Sequence, residues 1–174
     1  MRVGLLGGSF NPPHEGHRHV AETARAALGL DRIIWLVSPK NPLKSAAEMS
    51  LAKRLAAVRE LASSRDAVSG LEADLGSTYT VNTLRWLRRR YSAVRFFWLM
   101  GSDNLTGLHR WRCWRDLPGL VEFVVVPRPG STVRGRLAPG GRMLRASGRA
   151  RFLETPLVTA SSTALRMRAR NPLQ

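Results

Sequence analysis

Two histidines stand three residues apart, behind two glycines and two prolines, in the segment Gly7-Gly8-Ser9-Phe10-Asn11-Pro12-Pro13-His14-Glu15-Gly16-His17. At a helix start, residues with that spacing share one face. The first helical turn also carries unsatisfied N–H groups and partial positive charge, both of which suit an anion. Imidazoles placed there can donate hydrogen bonds to phosphate oxygens. Gly7 and Gly8 lack a Cβ, so the chain can turn tightly and approach a ligand closely. Pro12 and Pro13 keep the residues before them out of helix and stiffen the loop. The layout suits a nucleoside triphosphate. The same histidines could instead cap the helix, or with His19 bind a metal. A structural zinc normally takes four ligands, and no cysteine or carboxylate cluster accompanies them. Neither the dinucleotide fingerprint GxGxxG nor the P-loop GxxxxGK[ST] occurs here.

These residues need a scaffold, and the apolar pattern describes one. Val3, Leu5 and Leu6 read as a short buried strand running into the glycines. Val20, Ala24, Ala27 and Leu28 repeat at helical spacing from about Glu15 onward. Residues 33–37 form a second apolar strand, followed by a loop with Pro39 and Pro42. Ser50 is placed to cap a helix over 51–62 that turns Leu51, Leu55, Val58 and Leu61 inward. A short strand is expected near 67–71, a helix over 80–90, and strands over 94–100 and 121–126. Residues 131–148, rich in Gly, Arg and Pro, read as a mobile loop with a short strand near Met143 and Leu144. A last helix starts at Ser161 or Ser162. Strands alternating with helices predict an α/β fold with a Rossmann-like, doubly wound, mostly parallel sheet. Ligands of such sheets bind beyond the carboxyl ends of the strands, where the strand order switches. Four chemistry-bearing segments follow strands or open a helix in this scheme: residues 8–17, 40–44, 101–105 and 160–166.

Composition narrows the class. The 174 residues, 44% hydrophobic, suit one domain with a full core over 1–174. No run of about 18 apolar residues predicts a membrane span. The N-terminus enters a strand without a basic region and apolar stretch, which points to the cytoplasm. One cysteine, Cys113, leaves no partner for an internal disulfide. The formal net charge is +16, concentrated in residues 107–174, where thirteen arginines face three acids. Such a charge could bind nucleic acid through counterion release. No RNA-binding motif accompanies it, and attraction of anionic nucleotides is the milder reading, so no nucleic-acid partner is expected.

The eleven-residue string ending in His14-Glu15-Gly16-His17 resembles the (H/T)xGH signature of the nucleotidylyltransferase superfamily. Further segments make the chain similar to bacterial nicotinate-nucleotide adenylyltransferases over residues 1 to about 168. Ala160 to Arg166 resembles the ISSTxxR motif, with Ala where Ile is usual. Thr78-Tyr79-Thr80-Val81-Asn82-Thr83-Leu84 resembles TYTxDTL, with Asn82 where Asp is usual. Leu108-His109-Arg110-Trp111 resembles a stretch that supplies an aromatic platform. The resemblance implies a reaction of ATP with nicotinate mononucleotide, giving deamido-NAD and pyrophosphate, with Mg²⁺ accompanying the ATP. It implies ATP contacts from Gly8, Ser9, Phe10, His14, His17, Gly101, Asp103, Ser162, Thr163 and Arg166. His17, His14 and Arg166 would be the catalytic set. Lys44, Thr78, Tyr79, Thr80, Asn82 and Trp111 would hold the nicotinate nucleotide. No metal ligands are expected from the protein. Phosphopantetheine adenylyltransferases share the HxGH loop, and nicotinamide mononucleotide is a rival acceptor. The different-class alternative is an RNA-binding protein.

Overall fold

The computed structural model describes residues 1–39 and 49–154. In chain order the elements are β1 (Arg2–Gly8), α1 (Glu15–Leu28), β2 (Arg32–Val37), α2 (Leu51–Leu61), β3 (Ala67–Ser69), α3 (Leu71–Asp74), α4 (Thr80–Arg90), β4 (Arg95–Gly101), α5 (Leu117–Leu120), β5 (Glu122–Val126), α6 (Thr132–Leu137), α7 (Pro139–Ala146) and β6 (Ala150–Phe152). Two 3₁₀ turns, Ser102–Thr106 and Leu108–Arg110, lie between β4 and α5. Among the described residues the sheet has six strands in the order β3-β2-β1-β4-β5-β6, and every neighbouring pair is parallel. The chain winds outward from β1 to β3, returns to β4 and winds out the other way. The switch point therefore lies between β1 and β4.

Period-two alternation divides the core between the two faces of the sheet. Val3 and Leu5 of β1, Leu36 of β2, Trp98 and Met100 of β4, and Phe123 and Val125 of β5 share one cluster with Val81, Leu84 and Leu87 of α4, Leu117 of α5 and Leu144 of α7. The intervening residues Leu6, Ile33, Trp35, Val37, Phe97, Leu99, Val124 and Val126 pack on Val20, Ala21, Ala24 and Leu28 of α1 and Val58 of α2. Strands buried on both faces read as near-continuous apolar runs, and this explains why sequence located them.

Residues 131–148 depart from expectation. They form α6 and α7 rather than a loop, and Met143 and Leu144 are helical. Pro139 opens α7, a position where its missing N–H costs nothing. The glycines that suggested a loop serve close packing instead. A Cβ on Gly140 would stand 2.6 Å from the Leu105 carbonyl oxygen and 2.7 Å from the Leu108 Cβ. This stretch thus lies directly beneath the 3₁₀ turns that follow β4. The edge strand β6, three residues long, was absent from the sequence reading. The last helix expected near Ser161 or Ser162 falls outside the described residues.

One buried carboxylate ties α1 to the sheet. The Asp66 side chain, fully buried, accepts hydrogen bonds from the Arg25 guanidinium, from the indole N–H of Trp35 at 3.1 Å and from the Ile33 backbone N–H at 3.3 Å. Replacing Asp66 by Ala leaves the Arg25 guanidinium with only the half-exposed Glu22 at 3.4 Å and leaves the Trp35 indole N–H without its acceptor. Asp66→Ala should therefore cost about 3–5 kcal/mol in urea unfolding, and a loss under about 1 kcal/mol would show that this anchor carries little.

Candidate active site

The loop from β1 to α1 is built by its own residues. Neither Gly7 nor Gly8 has a positive φ; both belong to β1. The turn is made at Phe10, with φ 47°, while its ring is buried against Trp35 and, edge-on, against His17 at 4.9 Å. An L-residue is rarely held in this region unless its surroundings fix it. Gly7 is needed for a different reason, because a Cβ there would meet the Trp98 ring 2.5 Å away.

His14 and His17 have their protons placed by backbone hydrogen bonds. The Gly16 N–H donates to Nδ1 of His14 at 3.1 Å, and the His14 N–H donates to Nδ1 of His17 at 3.2 Å. Each Nδ1 is therefore an acceptor, and in the neutral ring the proton sits on Nε2. The rings stack with centroids 3.8 Å apart. The helix-capping role that the sequence offers for these histidines is present, and it occupies one edge of each ring. Capping engages Nδ1, and Nε2 lies on the other edge of each ring.

A cleft of about 760 Å³ opens at the switch point. It is lined by Gly8, Ser9, Phe10, His14 and His17 from the first loop and by Gly101 and Asp103 at the end of β4. Thr78, Tyr79, Thr80 and Trp111 line the same cleft. Trp111 is half-buried and meets Trp98 edge-on at 6.0 Å, which fixes its ring. Asp103 is half exposed, with the Arg128 guanidinium 3.7 Å from its carboxylate. Arg128, Arg110 and Arg112 add cationic lining, and the Arg112 guanidinium lies 5.0 Å over the Tyr79 ring. Among the described residues the walls carry three arginines and two imidazoles against two carboxylates, Asp103 and Glu72, a balance suited to phosphorylated ligands.

Asn82 does not join this group. It is exposed, donates from its amide to the Ser77 hydroxyl at 3.0 Å, and lines an adjoining cavity of about 440 Å³ behind Thr78 and Tyr79. Lys44, Ser162, Thr163 and Arg166 lie outside the described residues.

Three residues of the site were not singled out from sequence. Arg128 follows β5, and its backbone N–H is held by the buried Ser102 hydroxyl at 2.9 Å. Glu72 on α3 is buried in the cleft wall. Burial pushes its carboxyl above the usual range, although hydrogen bonds from Ser38 and Thr83 pull the other way. Arg54 on α2 is also buried, and desolvation holds its guanidinium below its ordinary value. It donates to the carbonyls of Ser9 at 2.7 Å, Ser38 at 2.6 Å, Pro39 at 2.9 Å and Met49 at 3.2 Å. This cation ties the loop between β1 and α1 to the chain that leaves β2. Helical spacing had marked Leu51, Leu55 and Val58 of α2 as inward; nothing in it distinguishes Arg54 from its solvated neighbours.

A cleft at the switch point of a parallel sheet, lined by two histidines at a helix start, is the setting of a nucleotide-binding α/β protein. The family model for cytidylyltransferase-like proteins matches residues 5–168. A protein of Caulobacter sp. (strain K31) carrying the name "Probable nicotinate-nucleotide adenylyltransferase" is 49% identical, over 97% of this chain and 98% of its own length. One of the same name from Parvibaculum lavamentivorans is 54% identical over 83% of this chain and 73% of its own. Among solved structures, the Plasmodium falciparum nicotinic acid mononucleotide adenylyltransferase complexed with NaAD superposes with a TM-score of 0.77, covering 95% of this chain and 82% of that one. At 18% identity that likeness speaks for the fold. The chain belongs to the cytidylyltransferase-like family and, within it, to the nicotinate-nucleotide adenylyltransferases.

Mutation can separate the capping of α1 by His14 from the catalytic role expected of it. His14→Ala removes the cap and should cost about 1 kcal/mol of unfolding free energy along with activity. Asparagine offers a cap acceptor but no Nε2–H, so His14→Asn should recover most of the stability and none of the turnover. Paired chemical denaturation and turnover assays check this; recovery of both together would show that His14 only caps.

Proposed function

We infer that the protein transfers the adenylyl group of ATP to nicotinate mononucleotide, giving deamido-NAD and pyrophosphate. The observation that carries this reading is the single continuous cleft, because its lining includes both the histidine loop and the Thr78–Thr80 and Trp111 wall. Two nucleotides that react directly with each other need one space.

The attacking atom is an oxygen of the mononucleotide 5′-phosphate, already ionised near neutral pH. It forms a bond to the α-phosphorus of ATP. The bond from that phosphorus to the bridging oxygen of the β-phosphate breaks, and pyrophosphate leaves with the electron pair. No enzymic nucleophile and no strong base are needed. The work of the protein is to align two anions and neutralise charge on the transferring group. His17 donates from Nε2 to the α-phosphate region as negative charge builds there, and His14 orients the adjoining phosphates. Gly8, Ser9 and Phe10 border the triphosphate, while Gly101 and Asp103 face the ATP ribose. Ser162, Thr163 and Arg166 complete the triphosphate grip, with Arg166 as a planar fork. On the acceptor side, Thr78, Tyr79 and Thr80 read the nicotinate end, Trp111 stacks on the ring, and Lys44 meets the mononucleotide phosphate. Asn82 acts through Ser77, steadying that wall from behind.

A divalent ion fits this site as a passenger of the nucleotide. The cleft offers Asp103, already beside Arg128, and Glu72, already hydrogen-bonded, rather than a converging carboxylate set. Mg²⁺ arriving with the nucleotide would supply charge neutralisation there, without a dedicated set of protein ligands. We place the reaction in the cytoplasm. No described helix is long and apolar enough to cross a membrane.

The test is pyrophosphate release with ATP and Mg²⁺, offering nicotinate mononucleotide, nicotinamide mononucleotide and phosphopantetheine in parallel. Strong preference for the nicotinate acceptor is expected. Preference for either other acceptor would overturn the reading of Thr78–Thr80 and Trp111. No turnover with any of them, together with salt-dependent RNA binding, would move the function to the basic surface. In the same assay His17→Ala should lower kcat by about 10²-fold or more, and near-normal kcat would remove His17 from the chemistry.

A further inference from the structure

Glu72 is a buried acid in the wall of a cleft that takes anionic nucleotides, and the reaction above gives it no task. Its contacts supply one. The backbone carbonyl of Glu72 accepts from the Ser77 N–H at 3.0 Å, and its carboxylate accepts from the Thr83 hydroxyl at 3.3 Å. Thr78, Tyr79 and Thr80 lie between those two attachment points, so one residue grips the acceptor wall at both ends. The Ser38 hydroxyl also hydrogen-bonds the Glu72 carboxylate. Ser38 follows β2; its N–H donates to the Gly8 carbonyl at 3.0 Å, and its own carbonyl accepts from Arg54, which also holds Ser9. A continuous chain of hydrogen bonds thus runs from the acceptor wall through Glu72 and Ser38 to the loop that faces the triphosphate. Thr83 is fully buried, so this linkage is shielded from competing water.

We propose that Glu72 is a positioning residue for the acceptor nucleotide, holding the Thr78–Thr80 wall in register with the Gly8–Ser9 loop through Thr83 and Ser38. It touches neither reacting atom. Its effect is on where the attacking phosphate lies relative to the α-phosphorus, and small misplacements there are costly. The proposal rests on the assignment of Thr78–Thr80 and Trp111 to the acceptor.

The linkage depends on hydrogen-bond geometry, so the conservative amide should serve. Gln accepts from Thr83 through its Oε1 and donates to the Ser38 oxygen through its Nε2. Steady-state kinetics would be run on Glu72→Ala, Glu72→Gln, Thr83→Val and Trp111→Ala, together with ATP binding measured without acceptor. For Glu72→Ala the KM for nicotinate mononucleotide should rise about 10-fold while the Kd for ATP stays within about 2-fold, and Glu72→Gln should return the KM to within about 3-fold of wild type. Equal weakening of both nucleotides, an unchanged acceptor KM, or a Gln variant as defective as Ala would each overturn it. If Glu72→Ala does not fold, Thr83→Val carries the test. That near-isosteric change should raise the acceptor KM about 3-fold, and no change would refute the linkage. Trp111→Ala separates the two assignments. A raised acceptor KM there with a normal one in Glu72→Ala refutes only the role of Glu72, whereas a normal KM in Trp111→Ala refutes the acceptor wall itself.

Discussion

Two backbone N–H groups at the start of α1, each given to the Nδ1 of a histidine, fix the chemistry of the cleft. A helix N-terminus has to satisfy these donors in some way. Ser, Thr, Asp or Asn would do so and spend the whole side chain on it. An imidazole has a second nitrogen on its other edge, so capping does not use up the polar capacity of the same residue. The cap also settles which nitrogen carries the proton. Stacked rings, the buried Phe10 and the strained backbone at that residue all serve to keep this arrangement in place.

Around that pair the structure accepts buried polar groups and satisfies them through contacts distant in sequence. Asp66 meets donors from α1 and β2. The hydrogen bonds of Arg54 to described residues all end on carbonyl oxygens of loops. Isolated buried charges are expensive, and these two occupy places where several chain segments must be held in fixed relation. In both cases the charged group binds a strand end to a helix on the same face of the sheet. Arg54 stands at the carboxyl ends of β1 and β2, beside the cleft, whereas Asp66 braces the opposite, amino-terminal end of β2 and β3.

Much of the scaffold was legible because a parallel sheet writes itself as apolar runs. β1, β2, β4 and β5 are buried on both faces and stood out on that ground alone. The helices α1, α2 and α4 followed from 3.6-residue spacing. The histidine loop was legible because its residue types are rare in that order. What escaped was whatever depended on contacts across the fold. Gly140 looks like a loop residue until Leu105 and Leu108 are seen pressed against its Cα. Arg54 looks like one more surface cation of α2 until two loops bring four carbonyls to it. Glu72 sits on a helix of four residues, too short to show a period. Asn82, assigned to the acceptor through the TYTxDTL resemblance, lines the smaller cavity that adjoins Thr78 and Tyr79, on the exposed side of α4.

The central claim is that one edge of each histidine is committed to the helix and the other to phosphate. Nitrogen-15 NMR of the histidine-labelled protein reads this directly, at a pH where the rings are neutral, before and after addition of a non-hydrolysable ATP analogue. The account predicts an unprotonated Nδ1 and a protonated Nε2 in both His14 and His17, with the analogue shifting the Nε2 signals and leaving the Nδ1 signals in place. A proton on Nδ1 of either ring, or an analogue that binds without disturbing either Nε2, would contradict it.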